Sequence, residues 1–170
     1  MKPANVEPTS VELRVIKNVQ DLVESVEMAD VQFYELTARR NEIFEESDDK
    51  EIDPTFLLQI GHPSDGIGVR LAVEVSISRG TVRSDVGVIY TTKTKEDHIS
   101  VPEEIGLEFA NRVGVLALIP YLRESVASAS LRVLGKSINL PLFRAGQLTF
   151  QSSDYQSPVT TPKKKPKKTK

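Results

Sequence analysis

The residues best suited to catalysis are His62, Ser64 and Asp65, which are the side-chain types of a base, a nucleophile and an orienting acid. They lie within four positions of one Pro- and Gly-containing turn, where the side chains cannot reach the geometry of a catalytic relay. Gly66 and Gly68 follow, but the third glycine and the following helix of a dinucleotide-binding loop are missing. We therefore interpret this segment as a hairpin turn.

The composition argues against metal binding and thiol chemistry. The chain has no cysteine and two histidines, His62 in a turn and His98 in a charged segment. The lack of cysteine excludes a disulfide scaffold and a thiolate site, and two isolated histidines cannot hold zinc without carboxylates. Acidic residues cluster from Glu42 to Asp53, seven of them with one lysine, as in an exposed and mobile loop. We expect no enzyme activity, no metal and no cofactor.

Length and charge indicate one acidic domain with a basic tail. The 170 residues suffice for one domain, which we place at residues 10–151 after a flexible start at 1–9. Residues 152–170 are predicted to be disordered, because their Pro, Thr and Lys content provides little apolar area to bury. Within this tail, Pro158 to Lys170 carries six lysines and no acid, whereas the rest of the chain has 16 basic and 24 acidic residues. Most of the surface therefore disfavours nucleic acid as a partner.

No segment of the sequence resembles a membrane span or a secretion signal. The longest apolar run, Val113 to Pro120, is far shorter than the ~20 residues that cross a bilayer. Met1 to Ser10 contains no apolar stretch like that of a signal peptide. Since the absence of cysteine also suits a reducing compartment, we expect a cytoplasmic protein with no membrane insertion.

The hydrophobic patterns that must position any site predict an α+β domain. Thr9 and Glu12 have capping-box spacing before an apolar stripe, which predicts a helix from Ser10 to Glu27. Residues 31–37 are rich in aromatic and β-branched side chains, and residues 56–60, 67–77 and 82–90 carry apolar side chains at alternate positions. We therefore expect a four-stranded antiparallel sheet with one apolar face.

A long helix is predicted to cover that face. Ser100, Pro102 and Glu103 form a helix start, and an apolar stripe continues until Gly135. Pro120 lies inside the stripe and is expected to kink or break the helix near its middle. The apolar side chains of the strands and of the segment after Gly135 exceed what one helix can cover, which indicates a homo-oligomer or apolar binding grooves.

The residues Pro120-Tyr121-Leu122-Arg123-Glu124 resemble the Pro-Tyr-x-Arg-Glu signature of the SecB family of export chaperones. The stretch from Lys50 to Ile60 is similar to the crossover loop and second strand of that family. The resemblance implies a four-stranded antiparallel sheet packed by a long helix and assembled as a dimer of dimers. It also implies a holdase that binds unfolded polypeptides in hydrophobic grooves without ATP. The client-binding positions carried over from the family are Ile52, Phe56, Leu58, Ile60 and Tyr121.

Two departures from the export chaperones bear on the partners. Arg144 to Gly146 interrupts the region where a second helix would follow. The acidic surface that docks on the translocase ATPase corresponds to Asp30 and Asp85, but Tyr34 and Arg83 stand where an acid and an apolar residue are expected. The extra N-terminal helix resembles the SecB-like chaperones that guard an aggregation-prone antitoxin. The sequence leaves the export and toxin–antitoxin roles both open.

Two other classes of function compete with the holdase. An enzyme with a hot-dog-like helix and sheet fold would need a lone catalytic carboxylate in a pocket. A non-catalytic adaptor would contact nucleic acid or an acidic partner through the Lys-rich tail, and its binding would collapse with salt. We favour the holdase, because burial of a client's apolar side chains contributes roughly 25 cal/mol per Å² without requiring a particular sequence.

Overall fold

The computed structural model describes residues 13–44, 52–94, 97–144 and 146–152. The predicted flexible start at 1–9, residues 45–51 of the predicted acidic loop, and the Lys-rich tail from residue 153 lie outside the described residues. The elements are, in chain order, β1 (Arg14–Val15), α1 (Val19–Ser25), β2 (Val26–Arg40), β3 (Thr55–Gly61), β4 (Gly66–Ile77), β5 (Gly80–Thr92), β6 (Ile99–Ser100), α2 (Glu103–Phe109) and α3 (Val115–Leu134). A π-helical turn, Ala110–Gly114, joins α2 to α3.

The predicted four-stranded antiparallel sheet is confirmed. Its strand order is β2-β5-β4-β3, with β2 and β3 at the two edges. The register places Leu58, Leu71 and Val86 side by side across three strands, and all three side chains are fully buried. The alternation of apolar and polar residues along β4 and β5 therefore gives the sheet its apolar face.

The long helix α3 covers this face, as the sequence predicts. Leu118, Leu122 and Val126 have no exposed surface, and the helix ends at Gly135 in the left-handed conformation with φ of 73°. The buried hydroxyl groups of Ser84 on β5 and Ser125 on α3 share a hydrogen bond of 2.7 Å. Helix and sheet are thus joined by an apolar core with one polar contact inside it.

The predicted N-terminal helix is much shorter than expected. It begins after Asn18, whose side chain accepts a hydrogen bond from the Asp21 N–H, and it ends at Ser25. Upstream, β1 pairs in parallel with β6, and Glu27 at the predicted helix end lies in β2. The prediction of one helix up to Glu27 is wrong, because β-branched side chains recurring at helical spacing also suit strands that find a pairing partner.

Pro120 does not break the long helix. It lies at an exposed position inside α3, which continues from Val115 to Leu134, and the irregular turn is the π-helical one that precedes α3. The predicted Ser100 cap is also absent, since α2 begins at Glu103 without a side-chain capping bond. The backbone carbonyl of Ser100 instead accepts a hydrogen bond from the Ile16 N–H at 3.0 Å.

Within the described part of the chain, the stretch Glu103–Leu134 is long and apolar enough to cross a membrane by composition alone. It consists of α2, the π-helical turn and α3. Its buried residues include Phe109, Leu118 and Leu122, which belong to the same hydrophobic core as the strands. The apolar character of this helix is therefore explained by its packing against the sheet.

Candidate client-binding site

The chain after α3 returns along that helix without regular secondary structure, and we call residues 138–144 and 146–152 the return segment. The Ile138 N–H donates to Ser130 Oγ at 2.8 Å, and Arg123 Nη1 donates to the Pro141 carbonyl at 3.0 Å. Later residues of the segment therefore contact earlier residues of the helix. The segment runs antiparallel to α3 and is tied to it through its own backbone.

The far end of the return segment is held by Asn111 in the π-helical turn. Asn111 Oδ1 accepts from the Phe150 N–H at 2.9 Å, and Asn111 Nδ2 donates to the Phe150 carbonyl at 3.0 Å. One amide side chain thus satisfies both backbone groups of one residue, as a neighbouring β-strand would. A cavity of about 640 Å³, lined by Leu107, Asn111 and Thr149 among others, lies between the helix and this end of the segment.

Three of the predicted client-binding residues keep accessible surface. Phe56 on β3 is half-buried and contacts the Phe143 ring edge-on, with the ring centroids 5.6 Å apart. Ile52, just before β3, is half-buried against the core. Tyr121 on α3 is 40% exposed. The return segment therefore lies beside part of the predicted groove, through the contact between Phe56 and Phe143.

The other two predicted client-binding residues are corrected by the structure. Leu58 is fully buried and Ile60 is 2% exposed. Both lie on the sheet face that the helix covers, since their cross-strand partners Leu71 and Val69 are core residues as well. Their side chains belong to the core of the chain itself and present no surface to a client.

The prediction of an acidic docking surface is also corrected at Asp85. This residue is 4% exposed, and its carboxylate accepts two hydrogen bonds of 2.7 Å from the Arg70 guanidinium. The Arg70 guanidinium also lies over the Tyr34 ring, 4.0 Å from its centroid. Asp30 is exposed, but its carboxylate accepts from the Val31 N–H and from a side-chain amide. Asp85 is neutralised by Arg70, so it offers no free negative charge.

Another arginine of this outer sheet face, Arg83, lies between two acids. Arg83 Nε lies 3.0 Å from a carboxylate oxygen of Glu35, and Arg83 Nη1 lies 3.6 Å from one of Glu74. The hydrogen bonds to Asp85 and Glu35 raise the pKa of Arg70 and of Arg83, respectively, so both remain cationic. Three acids of the face, Glu35, Glu74 and Asp85, are therefore paired with arginines.

The features that could have indicated catalysis serve structural roles. His62 packs against Gly106 at the start of the helix, and partial burial lowers the pKa of its imidazole while the nearby Glu103 opposes the shift. The Ser64 carbonyl accepts a hydrogen bond from the Ile99 N–H at 2.8 Å. Among residues 13–44, 52–94, 97–144 and 146–152, no group of three or more acidic or histidine side chains could hold a metal ion.

Sequence reasoning missed the polar contacts of the return segment. Arg123 lies inside the motif that carries the family resemblance, but nothing in the sequence indicated a contact with the Pro141 carbonyl. Asn111 and Ser130 are isolated polar residues on an apolar helix, and they belong to no sequence motif that would predict a binding role. Their partners lie 39 and 8 positions away, so only the path of the chain after Gly135 reveals them.

A comparison with protein-family models gives no match. The structure resembles that of the Mycobacterium tuberculosis Rv1957 SecB-like chaperone in complex with a ChAD peptide from the Rv1956 HigA1 antitoxin. The TM-score is 0.58 at 17% identity, over 72% of this chain and 94% of the other. This likeness supports the fold.

The sequence is 32% identical over 138 residues to the SecB-like chaperone SmegB of Mycolicibacterium smegmatis. The match covers 81% of this chain and 88% of the relative. A match of this length agrees with the resemblance at Pro120 to Glu124. The chain belongs to the family of SecB-like chaperones.

Proposed function

We propose that this chaperone is an ATP-independent holdase that binds non-native polypeptides through apolar contacts in a groove. The observation that carries the proposal is the 32% identity to a SecB-like chaperone over most of both chains. The groove would include Ile52, Phe56 and Tyr121, whose apolar surface is partly accessible. Burial of a client's apolar side chains against this surface would supply the free energy of binding without ATP.

The client we propose is an aggregation-prone antitoxin. The Rv1957 chaperone, which has the same fold, is in complex with a peptide from an antitoxin. The outer sheet face of the present chain supports this choice over export, because Arg70 neutralises Asp85 and Arg83 pairs with Glu35. A translocase surface that requires free acids would find few of them on these strands.

The assembly we propose is a homo-oligomer in the cytoplasm, most simply a tetramer. Met28, Phe33 and Leu36 on the edge strand β2 are each about half exposed. They pair with Tyr90, Val86 and Ser84, respectively, whose side chains are buried on the helix-covered face of the sheet. An apolar stripe beside an unpaired strand edge favours burial against a second copy.

Suppression of aggregation by groove variants tests the proposal. Phe56→Asp should raise the chaperone concentration required to protect an aggregating client at least about fivefold. The reason is that an unpaired charge is costly in an apolar site. Tyr121→Asp should act in the same direction. The assay uses light scattering of the unfolded client, with and without ATP, and the parent chain should protect equally in both cases.

Matched controls separate client binding from general loss of structure. Leu57→Asp places the same charge on the opposite face of β3, and Leu131→Asp places it at another exposed position of α3. Both should protect as the parent does, provided that circular dichroism and molar mass are unchanged. Equal protection by folded Phe56→Asp and by the parent would refute the groove. Dependence on ATP would refute the holdase mechanism.

A further inference from the structure

We propose that the edge of the helix carrying Asn111, Arg123 and Ser130 is a binding site for extended polypeptide backbone. The chain's own return segment fills this site, and an extended apolar segment of a client replaces it. The inference rests on the proposed holdase function and specifies how a client is held. It assigns binding roles to three polar side chains on one side of a helix that otherwise packs the core.

The chemistry of the contacts points to recognition that does not depend on sequence. Each of the three side chains bonds a backbone group, and none bonds a side chain of the return segment: Ser130 accepts the N–H of residue 138, Arg123 donates to the carbonyl of residue 141, and Asn111 bonds both groups of residue 150. Every polypeptide offers these groups at regular intervals. A client in an extended conformation could therefore make the same hydrogen bonds.

The side chains of the return segment show which residues the site accepts. Ile138 and Leu140 are each 2% exposed, with Asn139 exposed between them, so alternate side chains point into the protein. Phe143 contacts Phe56, which the family resemblance implies as a client-binding residue. Beside Ser130 and Arg123 the site therefore holds extended chain with apolar residues at alternate positions, as in an aggregation-prone strand. A turn, in which the Gln147 N–H donates to the Arg144 carbonyl at 3.0 Å, separates this part from the end at Asn111.

The end of the segment at Asn111 is the part best suited to exchange. Phe150 is 8% exposed, but Gly146, Gln147, Thr149 and Ser152 around it are exposed. Gly146, Thr149 and Ser152 of this stretch line the cavity of about 640 Å³. By contrast, the start of the segment is tied by Ile138 deep in the core. Exchange should therefore begin at Phe150, because exposed residues flank it on both sides.

Binding of a labelled peptide measures the site directly. The probe is a synthetic heptapeptide with the sequence of residues 146–152, and fluorescence anisotropy is recorded with the full chain. Phe150→Ala weakens the internal occupant, so the apparent affinity for the peptide should rise at least about tenfold over the parent, because a larger fraction of sites is open. Leu142→Ala, at a position 83% exposed in the same segment, should leave the affinity unchanged.

Substitution of Asn111 tests the recognition of backbone. In the Phe150→Ala chain, Asn111→Ala should abolish the gain in affinity. Asn111→Asp keeps the shape but cannot donate to the peptide carbonyl, so it should abolish most of the gain as well. Unchanged affinity in Phe150→Ala relative to the parent, or retained gain after both Asn111 substitutions, would overturn the proposal.

Hydrogen exchange of the unmodified chain avoids any dependence on variant folding. Reduced and carboxymethylated α-lactalbumin serves as the unfolded client. On its addition, the amide of Phe150 should exchange faster by at least about tenfold, since it loses Asn111 as partner. Bound client with unchanged exchange would overturn the inference while leaving the holdase intact. If no client binds, the holdase proposal fails, and the labelled peptide alone decides whether the site exists.

Discussion

Asp85 shows at the scale of a single residue how a neighbour changes the role of an acid. Its carboxylate is 4% exposed and accepts two hydrogen bonds from Arg70. The Tyr34 ring packs over the same guanidinium. The three side chains form one unit on the outer sheet face, in which the acid contributes to folding and not to docking.

Replacement of Asp85 tests this structural role. Asp85→Ala removes two charge-assisted hydrogen bonds of 2.7 Å and leaves the Arg70 guanidinium without its partner. We expect the free energy of unfolding to fall by about 2 kcal/mol, as measured by urea denaturation. Asp30→Ala is the control at an exposed acid and should change it by less than about 0.5 kcal/mol. Equal effects of the two substitutions would contradict the assignment.

The residue scale also separates the groove from the core along one strand. Phe56, Leu58 and Ile60 share a face of β3, and the sequence treats them as equivalent. Phe56 alone keeps accessible surface, whereas the other two are covered. Period-two alternation identifies the face of a strand, but it does not indicate how far along the strand the covering helix extends.

At the scale of elements, the π-helical turn lies tightly against the sheet at Gly114. A methyl group built on Gly114 would lie 2.7 to 2.9 Å from three side-chain atoms of Val69 on β4. These distances are shorter than van der Waals contact. The absence of a side chain at this point of the π-helical turn therefore allows the helix to lie against the strand.

Gly114→Ala should consequently destabilise the chain. The added methyl group must displace Val69 or the helix, and overpacking of this kind costs about 1 to 3 kcal/mol. Thermal and urea unfolding of the variant measure the loss. Combination with Val69→Ala should recover part of it, because the substitution removes the clashing atoms.

A second glycine provides the control for this prediction. Gly61 at the end of β3 has no atom within 4 Å of the corresponding methyl position, so Gly61→Ala should be tolerated. If Gly114→Ala were as stable as Gly61→Ala, the close approach of helix and sheet would not limit packing.

At the scale of the whole molecule, β2 is the edge strand with the most exposed apolar side chains. Phe33 and Leu36 are each 50% exposed, although their partners Val86 and Ser84 on β5 are buried. The helix α3 contacts β2 as well as β5 and β4, yet it leaves the side chains of Phe33 and Leu36 half exposed. Assembly with a second copy would bury both the side chains and the unpaired strand edge.

Charges placed on this stripe should reduce the assembly. The double variant Phe33→Asp and Leu36→Asp is expected to lower the molar mass from that of an oligomer toward that of one chain, measured by multi-angle light scattering. The added carboxylates would have to be buried without partners in the interface. Thr37→Asp is the control, since Thr37 pairs with Arg83 on the opposite face. A parent chain that is itself a monomer would refute the assembly.

The sequence by itself determined the strands, the long helix and the family. Alternation over 67–77 and 82–90 reflects the two-residue period of a strand, and the stripe up to Gly135 reflects the helical period, so local spacing suffices for both. The motif from Pro120 to Glu124 is likewise contiguous. Where spacing was ambiguous, strand pairing decided the outcome: Arg14–Val15 pairs with β6, and α1 ends at Ser25 because β2 pairs with β5 from Val26.

Only the tertiary structure decided which of these residues face a client. Burial of Leu58 and Ile60 depends on the helix that lies over them, and the loss of a free charge at Asp85 depends on Arg70, 15 positions earlier in the chain. The Asn111–Phe150 contact joins residues 39 positions apart. The exposure and pairing of a side chain depend on the residues that pack against it. Those residues come from distant parts of the chain, so the local sequence pattern cannot identify them.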